Sequence, residues 1–270
     1  MRVAITGANG FLGAGIVDEL ARRGHEVVAV DMRADHVNEA VTFIEGSAFD
    51  MRNPYEEMGA PDCVFHLAWR DGFRHDSAAH MEDLASHVEF VRKLTSSPLR
   101  RLAVMGTMHE VGYFEGGIRA DTPCNPESMY GIAKNALRQV STLLCKKSET
   151  ELFWLRGYYI VDGTPRGASI FSKICQAAND GKKTFPFTQG QNQYDFLDYS
   201  DFCSQAADIV TGDYEPGVYN ICSGKPEKLA DRVECFIKEN GLDIELEYGA
   251  YPDRPYDSPA VWGHRESDVG

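Results

Sequence analysis

Tyr130 and Lys134 are the residues whose types and spacing most clearly indicate chemistry. They stand four positions apart in Ser128-Met-Tyr-Gly-Ile-Ala-Lys, which opens a predicted amphipathic helix, so both side chains share one helix face. A tyrosine phenol has an ordinary pKa of about 10 and is a poor acid–base group at neutral pH. Because a neighbouring ammonium favours the phenolate, the pattern predicts a Tyr130 whose pKa is lowered for proton transfer.

Thr107 supplies the hydroxyl that completes this group. It follows a predicted strand at residues 102–105, and ligands bind at the carboxyl ends of strands in open parallel sheets. Its hydroxyl can hydrogen-bond the reacting oxygen, so Thr107, Tyr130 and Lys134 are the predicted catalytic residues. His109 lies in the same loop and suits a supplementary proton role, with an ordinary polar loop residue as the alternative.

The amino-terminal segment predicts the element that positions a cofactor. An apolar strand at residues 3–6 leads through Gly7, Gly10 and Gly13 into a helical pattern at residues 16–23. Gly7 permits the tight turn, Gly10 lets the backbone approach a pyrophosphate, and Gly13 lets the helix pack closely on the strand. The free N–H groups at the helix N-terminus then face the anion.

A carboxylate follows the second predicted strand, residues 26–30. Asp31 stands where an acidic residue binds the ribose hydroxyls of an adenine dinucleotide. It favours NAD, because the 2′-phosphate of NADP would meet a carboxylate. Arg33, two residues further on, keeps NADP open as the alternative cofactor.

Composition indicates an ordinary globular protein of 270 residues, with 43% hydrophobic and 25% charged residues. The formal charge of −14 argues against nucleic-acid or anionic-membrane partners. Seven scattered cysteines without a Cys-x-x-Cys pair predict neither a disulfide framework nor a metal site. The free cysteines favour a reducing compartment. No apolar segment is long enough to span a membrane, and we identify no signal peptide before the first strand. We therefore expect a cytoplasmic protein. His75, His80 and His87 are expected as surface or helix residues.

The alternation of strands and helices predicts an α/β fold, a doubly wound parallel sheet of the Rossmann type with a small C-terminal substrate-binding lobe. Residues 1–156 with 194–220 are expected to form the dinucleotide-binding domain. Residues 157–193 with 221–270 are expected to form the lobe.

The chain resembles the extended short-chain dehydrogenase/reductase superfamily, in its NAD-dependent epimerase/dehydratase family. The glycine turn ending in Gly-Phe-Leu-Gly13, the strand end His66-Leu-Ala68, and Tyr-x-x-x-Lys134 carry this resemblance, which covers almost the whole chain. It implies hydride transfer between a nicotinamide and C4 of a nucleotide-diphosphate sugar. It also implies a homodimer, formed through helices at residues 81–95 and 129–145.

The resemblance implies a set of cofactor contacts along the carboxyl edge of the sheet. In it Asp50 binds the adenine amino group, with a turn cap as the alternative, and Trp69 replaces a usually small residue beside the nicotinamide ribose. The implied cofactor-binding residues are Gly7, Asn9, Gly10, Phe11, Leu12, Gly13, Asp31, Met32, Arg33, Asp50, Met51, Leu67, Ala68, Trp69, Tyr130, Lys134, Tyr158 and Ile160.

The resemblance also implies the substrate contacts. Arg254 and Asp257 resemble a pair that holds the nucleotide, the first on a phosphate and the second on a ribose; a surface ion pair is the alternative. Tyr159 stands where relatives have Asn. The implied substrate-binding residues are Arg70, Thr107, Met108, His109, Tyr130, Tyr159, Arg254 and Asp257.

Three net reactions share hydride transfer at C4. Dehydration is discounted, because Met108-His109 replaces the Asp-Glu pair of dehydratases. Reduction of a nucleotide-linked 4-keto-6-deoxyhexose is the first expectation, and 4-epimerisation by tightly held NAD is the alternative. A catalytically silent NAD(P)-sensing protein is the second alternative.

Overall fold

The computed structural model describes residues 1–165, 167–252 and 258–265. The strands are β1 (Arg2–Thr6), β2 (Glu26–Asp31), β3 (Thr42–Glu45), β4 (Cys63–His66), β5 (Arg101–Thr107), β6 (Gly116–Ile118), β7 (Glu151–Gly157), β8 (Tyr159–Val161), β9 (Thr184–Pro186), β10 (Gln193–Asp198), β11 (Gly217–Ile221), β12 (Pro226–Lys228), β13 (Glu245–Glu247) and β14 (Ala260–Gly263). The helices are α1 (Phe11–Arg22), α2 (Pro54–Glu57), α3 (Ala79–Glu82), α4 (Leu84–Thr95), α5 (Met129–Cys145), α6 (Ile170–Asn179), α7 (Tyr199–Thr211) and α8 (Leu229–Glu239). Short 3₁₀ turns cover Ala48–Asp50 and Met108–Glu110.

Seven parallel strands form the main sheet, in the order β3-β2-β1-β4-β5-β7-β11. The strand order reverses between β1 and β4, the crevice where open α/β sheets bind ligands. Both faces are covered, which is why these strands are nearly continuous apolar runs. Ile16 of α1 and Phe202 of α7 pack on one face, and Phe90 of α4 and Leu137 of α5 pack on the other. The predicted doubly wound fold is therefore confirmed.

A second sheet of five strands carries the smaller lobe: β12, β10, β14 and β6 in that order, with β8 beside β10. Its core includes Phe171, Phe187 and Phe236. Residues 194–220 are expected in the dinucleotide-binding domain, whereas β10, at the start of that range, pairs with β8, β12 and β14 of the second sheet. The buried Asp195 carboxylate accepts hydrogen bonds from the backbone of Gly224 and Gly263, which anchors β10 within the lobe. The chain returns to the main sheet with α7 and β11, and it re-enters the lobe at β12.

The helices that flank the active-site edge agree in part with the sequence prediction. Helix α5 has the predicted bounds, and the Ser128 side chain accepts a hydrogen bond from Gly131 N at its start. The single helix predicted at residues 81–95 is instead α3 and α4, which meet at Asp83. Asp83 keeps helical backbone angles, and its carboxylate binds the Arg70 guanidinium. The two helices thus run almost continuously past the site.

No helix within the described ranges is long and apolar enough to cross a membrane. All seven cysteines lie in those ranges, and each is a free thiol.

Candidate active site

The turn between β1 and α1 is packed so closely that two of its glycines have no room for a side chain. Gly7 has φ 74°, and a Cβ on it would lie 2.6 Å from the nitrogen of Ala68. A Cβ on Gly13 would lie 2.0 Å from the carbonyl oxygen of Gly7. Helix α1 begins at Phe11, so its first N–H groups have no intrahelical acceptor. This backbone cradle, closed to Cβ atoms and open to N–H donors, fits a dinucleotide pyrophosphate.

Asp31 ends β2 beside this cradle. One carboxylate oxygen accepts from the nitrogen of Asn9 at 2.9 Å, and the other accepts from the nitrogen of Met32 at 2.7 Å. The Arg33 guanidinium is exposed and lies 3.6 Å from the Asp35 carboxylate. The carboxylate is therefore fixed at the turn, where it suits the ribose hydroxyls of NAD.

The remaining residues of the implied cofactor set line different parts of the same edge. Asp50 ends a 3₁₀ turn with an exposed side chain, and it is not the cap, because Ser47 accepts the capping hydrogen bond. Met51 is buried, and Leu67 contacts the main core. Tyr158 donates a hydrogen bond to the side chain of Asn220 at 3.2 Å.

Thr107, Tyr130 and Lys134 come together at the end of β5. The Thr107 hydroxyl lies close enough to the Tyr130 phenol to lower its pKa. The Lys134 ammonium donates to the carbonyl of Met105 at 2.7 Å and lies 6.0 Å from the centre of the Tyr130 ring. The hydroxyl, the phenol and the ammonium thus form one cluster, as the sequence pattern predicts.

Burial determines the protonation of this cluster. It raises the pKa of Tyr130, and the Thr107 hydroxyl only partly opposes the shift. It also lowers the pKa of Lys134 to about 7, against the attraction of the Glu110 carboxylate. The expected lowering of the Tyr130 pKa is therefore not found in the protein alone, because desolvation and the Glu110 carboxylate raise this pKa more than Thr107 lowers it.

Aromatic and histidine rings enclose the phenol. The His75 ring stacks on Tyr130 with centroids 5.2 Å apart, and the His75 carbonyl accepts from the Tyr130 nitrogen at 2.9 Å. Trp69 donates from its indole N–H to Nδ1 of His80 at 3.0 Å, and the Lys134 ammonium lies 3.8 Å from the centre of its ring. The Trp69 ring therefore packs against the Lys134 ammonium.

A second pair of histidines, His87 and His66, lies beside Trp69. The Trp69 ring stacks on His87 with centroids 4.3 Å apart, and His87 is hydrogen-bonded to His66 at 2.8 Å. His66 in turn is hydrogen-bonded to the Thr6 hydroxyl at 2.7 Å. Burial lowers the pKa of His87 to about 3, so the His87 ring is uncharged at neutral pH. His80 lies in α3 and His87 in α4, in agreement with the expectation of surface or helix residues, and both side chains are buried.

The predicted substrate contacts differ in where they lie. The His109 ring lies 4.2 Å from that of His75, and burial lowers its pKa to about 3. Met108 is buried in the core of the lobe, and Tyr159 packs on Tyr194 at 4.7 Å. The Arg70 guanidinium is exposed and bound to the carboxylates of α3 and Asp83. Arg254 and Asp257 lie outside the described residues, and their roles stay predictions.

The sequence also matches a known protein family. The model of the "NAD dependent epimerase/dehydratase family" matches residues 3–222. The chain belongs to this family. It is accordingly an NAD-dependent enzyme of the short-chain dehydrogenase/reductase type, as its motifs predict.

Individual relatives of the family match the chain over nearly its full length. A dTDP-6-deoxy-L-talose 4-dehydrogenase (NAD(+)) from Aggregatibacter actinomycetemcomitans is 39% identical, over 97% of this chain and 99% of its own. The fold is shared with MoeE5 in complex with UDP-glucuronic acid and NAD (TM-score 0.83, 23% identity, 99% of this chain and 91% of that one). It is also shared with UDP-glucose 4-epimerase from Thermotoga maritima with UDP-glucose (TM-score 0.84, 20% identity, 99% and 91%).

Glu110 is a residue of this site that sequence reasoning missed. Its fully buried carboxylate accepts from the nitrogen of Thr107 at 2.8 Å and from the Trp154 indole at 2.9 Å, with the Arg156 guanidinium 3.7 Å away. The available signal was the Thr107-x-x-Glu110 spacing, which is that of a capping box and forms one in the structure. Glu110 thus fixes the backbone that presents the Thr107 hydroxyl.

Proposed function

We propose that this family member transfers hydride between NAD(H) and C4 of a nucleotide-diphosphate-linked 6-deoxyhexose, with reduction of the 4-keto sugar as the favoured direction. The observation that carries the proposal is the cluster of Thr107, Tyr130 and Lys134 at the carboxyl end of β5. The name of the Aggregatibacter relative supports the sugar class, because its reaction in reverse is the reduction of a 4-ketone.

In the mechanism, NADH supplies the hydride when it is bound. Tyr130 donates its phenolic proton to the C4 oxygen, and Thr107 holds that oxygen by a hydrogen bond. Lys134 holds the nicotinamide ribose and, as an ammonium, favours the phenolate left after proton donation. The enclosing rings of Trp69 and His75 exclude water from the phenol. In the oxidation direction Tyr130 accepts the hydroxyl proton instead.

Dehydration requires an acid and a base that these residues do not offer. Met108 is buried in the lobe, and burial keeps His109 neutral. The nearby Glu110 carboxylate is fully buried and bound to Trp154, so it is not presented to a sugar. The same arrangement supports a simple oxidoreductase.

The second candidate is an NAD-dependent nucleotide-sugar 4-epimerase. The observation that favours it is the cluster of Thr107, Tyr130 and Lys134 itself. This cluster serves oxidation and reduction equally well if the ketone intermediate can rotate within the site. The third candidate, a silent NAD(P)-sensing protein, is disfavoured by the intact contacts of Thr107, Tyr130 and Lys134.

We also propose a cytoplasmic homodimer. Exposed apolar side chains lie along α3 and α5, on the side of the main sheet where α4 and α5 pack. These residues are Met81, Met129, Ile132 and Leu143. A second copy that paired α4 and α5 with its own would cover them.

One assay tests the function. Purified protein is mixed with NADH or NADPH and a dTDP-4-keto-6-deoxyhexose, and loss of reduced-nicotinamide absorbance is followed. We expect stoichiometric consumption of NADH, and none with Tyr130→Phe. Interconversion of a UDP-hexose at C4 without net consumption would establish the epimerase instead, and the absence of both reactions would reject both proposals.

A further inference from the structure

The hydroxyl of Tyr199 lies inside the first turn of α1. The nitrogen of Gly15 donates to this hydroxyl at 3.1 Å, and the hydroxyl donates to the carbonyl oxygen of Phe11. Gly15 N and Phe11 O are the donor and acceptor that an α-helix normally joins directly. Tyr199 thus bridges the first turn of the helix whose N-terminus forms the pyrophosphate cradle.

The surrounding residues are shaped for this bridge. A Cβ on Gly15 would lie 2.4 Å from the Tyr199 oxygen, so the bridge requires glycine at that position. The rings of Tyr199 and Phe11 also pack together, with centroids 4.9 Å apart. The contact is therefore built from side chains of both helices.

The bridge acts on the atoms that face the cofactor. The Phe11 carbonyl belongs to the same planar peptide unit as the N–H of Leu12, and the two groups point in opposite directions. Leu12 N–H is one of the donors at the start of α1 that have no intrahelical acceptor. A hydrogen bond to the carbonyl fixes the orientation of this N–H and polarises it towards an anion.

We propose that Tyr199 is a positioning residue for the pyrophosphate of NAD, acting through the Phe11–Leu12 peptide. The proposal rests on the NAD dependence of the family and is independent of which sugar the enzyme uses. It assigns a cofactor role to the first residue of α7, which follows directly after the lobe strand β10.

The test is calorimetric binding of NAD, ADP-ribose and adenosine to the full chain carrying Tyr199→Phe. We expect the Kd for NAD and for ADP-ribose to rise about tenfold, and the Kd for adenosine, which lacks the pyrophosphate, to stay within about twofold. Tyr219→Phe is the matched control. Tyr219 lies in β11, and its hydroxyl also donates to a backbone carbonyl, that of Glu215. It should leave all three values unchanged.

Two results would overturn the proposal. One is a Kd for NAD within about twofold of the wild-type value in Tyr199→Phe; the other is an equal loss for adenosine, which would make the role merely structural. If Tyr199→Phe does not fold, Gly15→Ala displaces the hydroxyl from the other side and must give the same pattern. Because no turnover is measured, failure of the proposed sugar reaction would leave this test intact.

Discussion

The Tyr130 phenol stays protonated at neutral pH, because burial raises its pKa more than the Thr107 hydroxyl lowers it. A protonated phenol is ready to donate to the oxygen of a ketone, whereas oxidation of an alcohol first requires the phenolate. The positive charge of oxidised nicotinamide and the Lys134 ammonium favour that phenolate. At the scale of this residue, the site is prepared for reduction.

The two directions should therefore differ in pH dependence. We expect the oxidation rate to rise with pH as Tyr130 deprotonates, and the reduction rate to fall over the same range. Initial rates at saturating substrate, measured in both directions across pH, check this. Reduction that accelerates with pH in parallel with oxidation would contradict the assignment of Tyr130 as the proton donor.

Asp31 is the residue that should set the choice of cofactor. Replacing it by alanine removes the carboxylate that suits the ribose hydroxyls and that would repel a 2′-phosphate. Asp31→Ala is expected to weaken NAD binding about tenfold or more while sparing or improving NADP. Asp35→Ala, a change of the exposed partner of Arg33, is the control. An unaltered preference in Asp31→Ala would place the ribose elsewhere.

Residue types and local spacing were sufficient to predict Thr107, Tyr130 and Lys134, because a helix places positions four apart on one face. They could not predict that His75 stacks on Tyr130 or that the Glu110 carboxylate is fully buried. Those features depend on the path of a loop and on packing within the folded chain. The direction of the Tyr130 pKa shift was missed for the same reason.

Among the elements, the turn from β1 into α1 has the least tolerance for change. A Cβ on Gly13 would overlap the backbone of Gly7 and Ala8, which cannot move as a flexible side chain can. Gly13→Ala is expected to destabilise the protein by about 1–3 kcal/mol and to weaken NAD binding strongly. Denaturant unfolding and calorimetry measure both effects.

Gly72→Ala is the matched control for this element, because its Cβ would enter open space. It should alter neither the free energy of unfolding nor the Kd for NAD. Wild-type NAD binding by Gly13→Ala would show that the turn does not hold the cofactor as described.

Elements with their own start signals were predicted well from sequence. Helix α5 combines the Ser128 cap with a clear apolar face, and its bounds were correct. Strand β10 was not predicted from sequence, and its pairing with β12 and β14 could not be, because a short sequence pattern does not encode its partner strands. Its partners are selected by distant residues such as the backbone donors of Gly224 and Gly263.

At the scale of the whole molecule, α7 connects the two parts of the site. It follows directly on the lobe strand β10, packs under the main sheet, and begins with the Tyr199 contact to α1. Helix α7 therefore connects the lobe directly to the turn between β1 and α1. We expect substitutions at this junction to weaken cofactor binding more than they disturb the arrangement of Thr107, Tyr130 and Lys134.

The exposed apolar face of α5 leads to a prediction about assembly. Leu143 is 59% exposed, and replacing it by aspartate should convert the proposed dimer to a monomer. Light scattering coupled to size exclusion measures this. Tyr214→Asp is the control, since that side chain is 43% exposed and lies between α7 and β11. A dimer that persists in Leu143→Asp would exclude this face as the interface.

Transfer of a labelled hydride tests the central claim most directly. The enzyme is given NADH carrying deuterium at the transferable position of the nicotinamide, with a dTDP-4-keto-6-deoxyhexose, and the product is analysed by NMR. We predict one deuterium per sugar, located at C4 in a single configuration, and none with Tyr130→Phe. Deuterium at any other carbon, or a reduced sugar without deuterium, would contradict hydride transfer at C4 by this site.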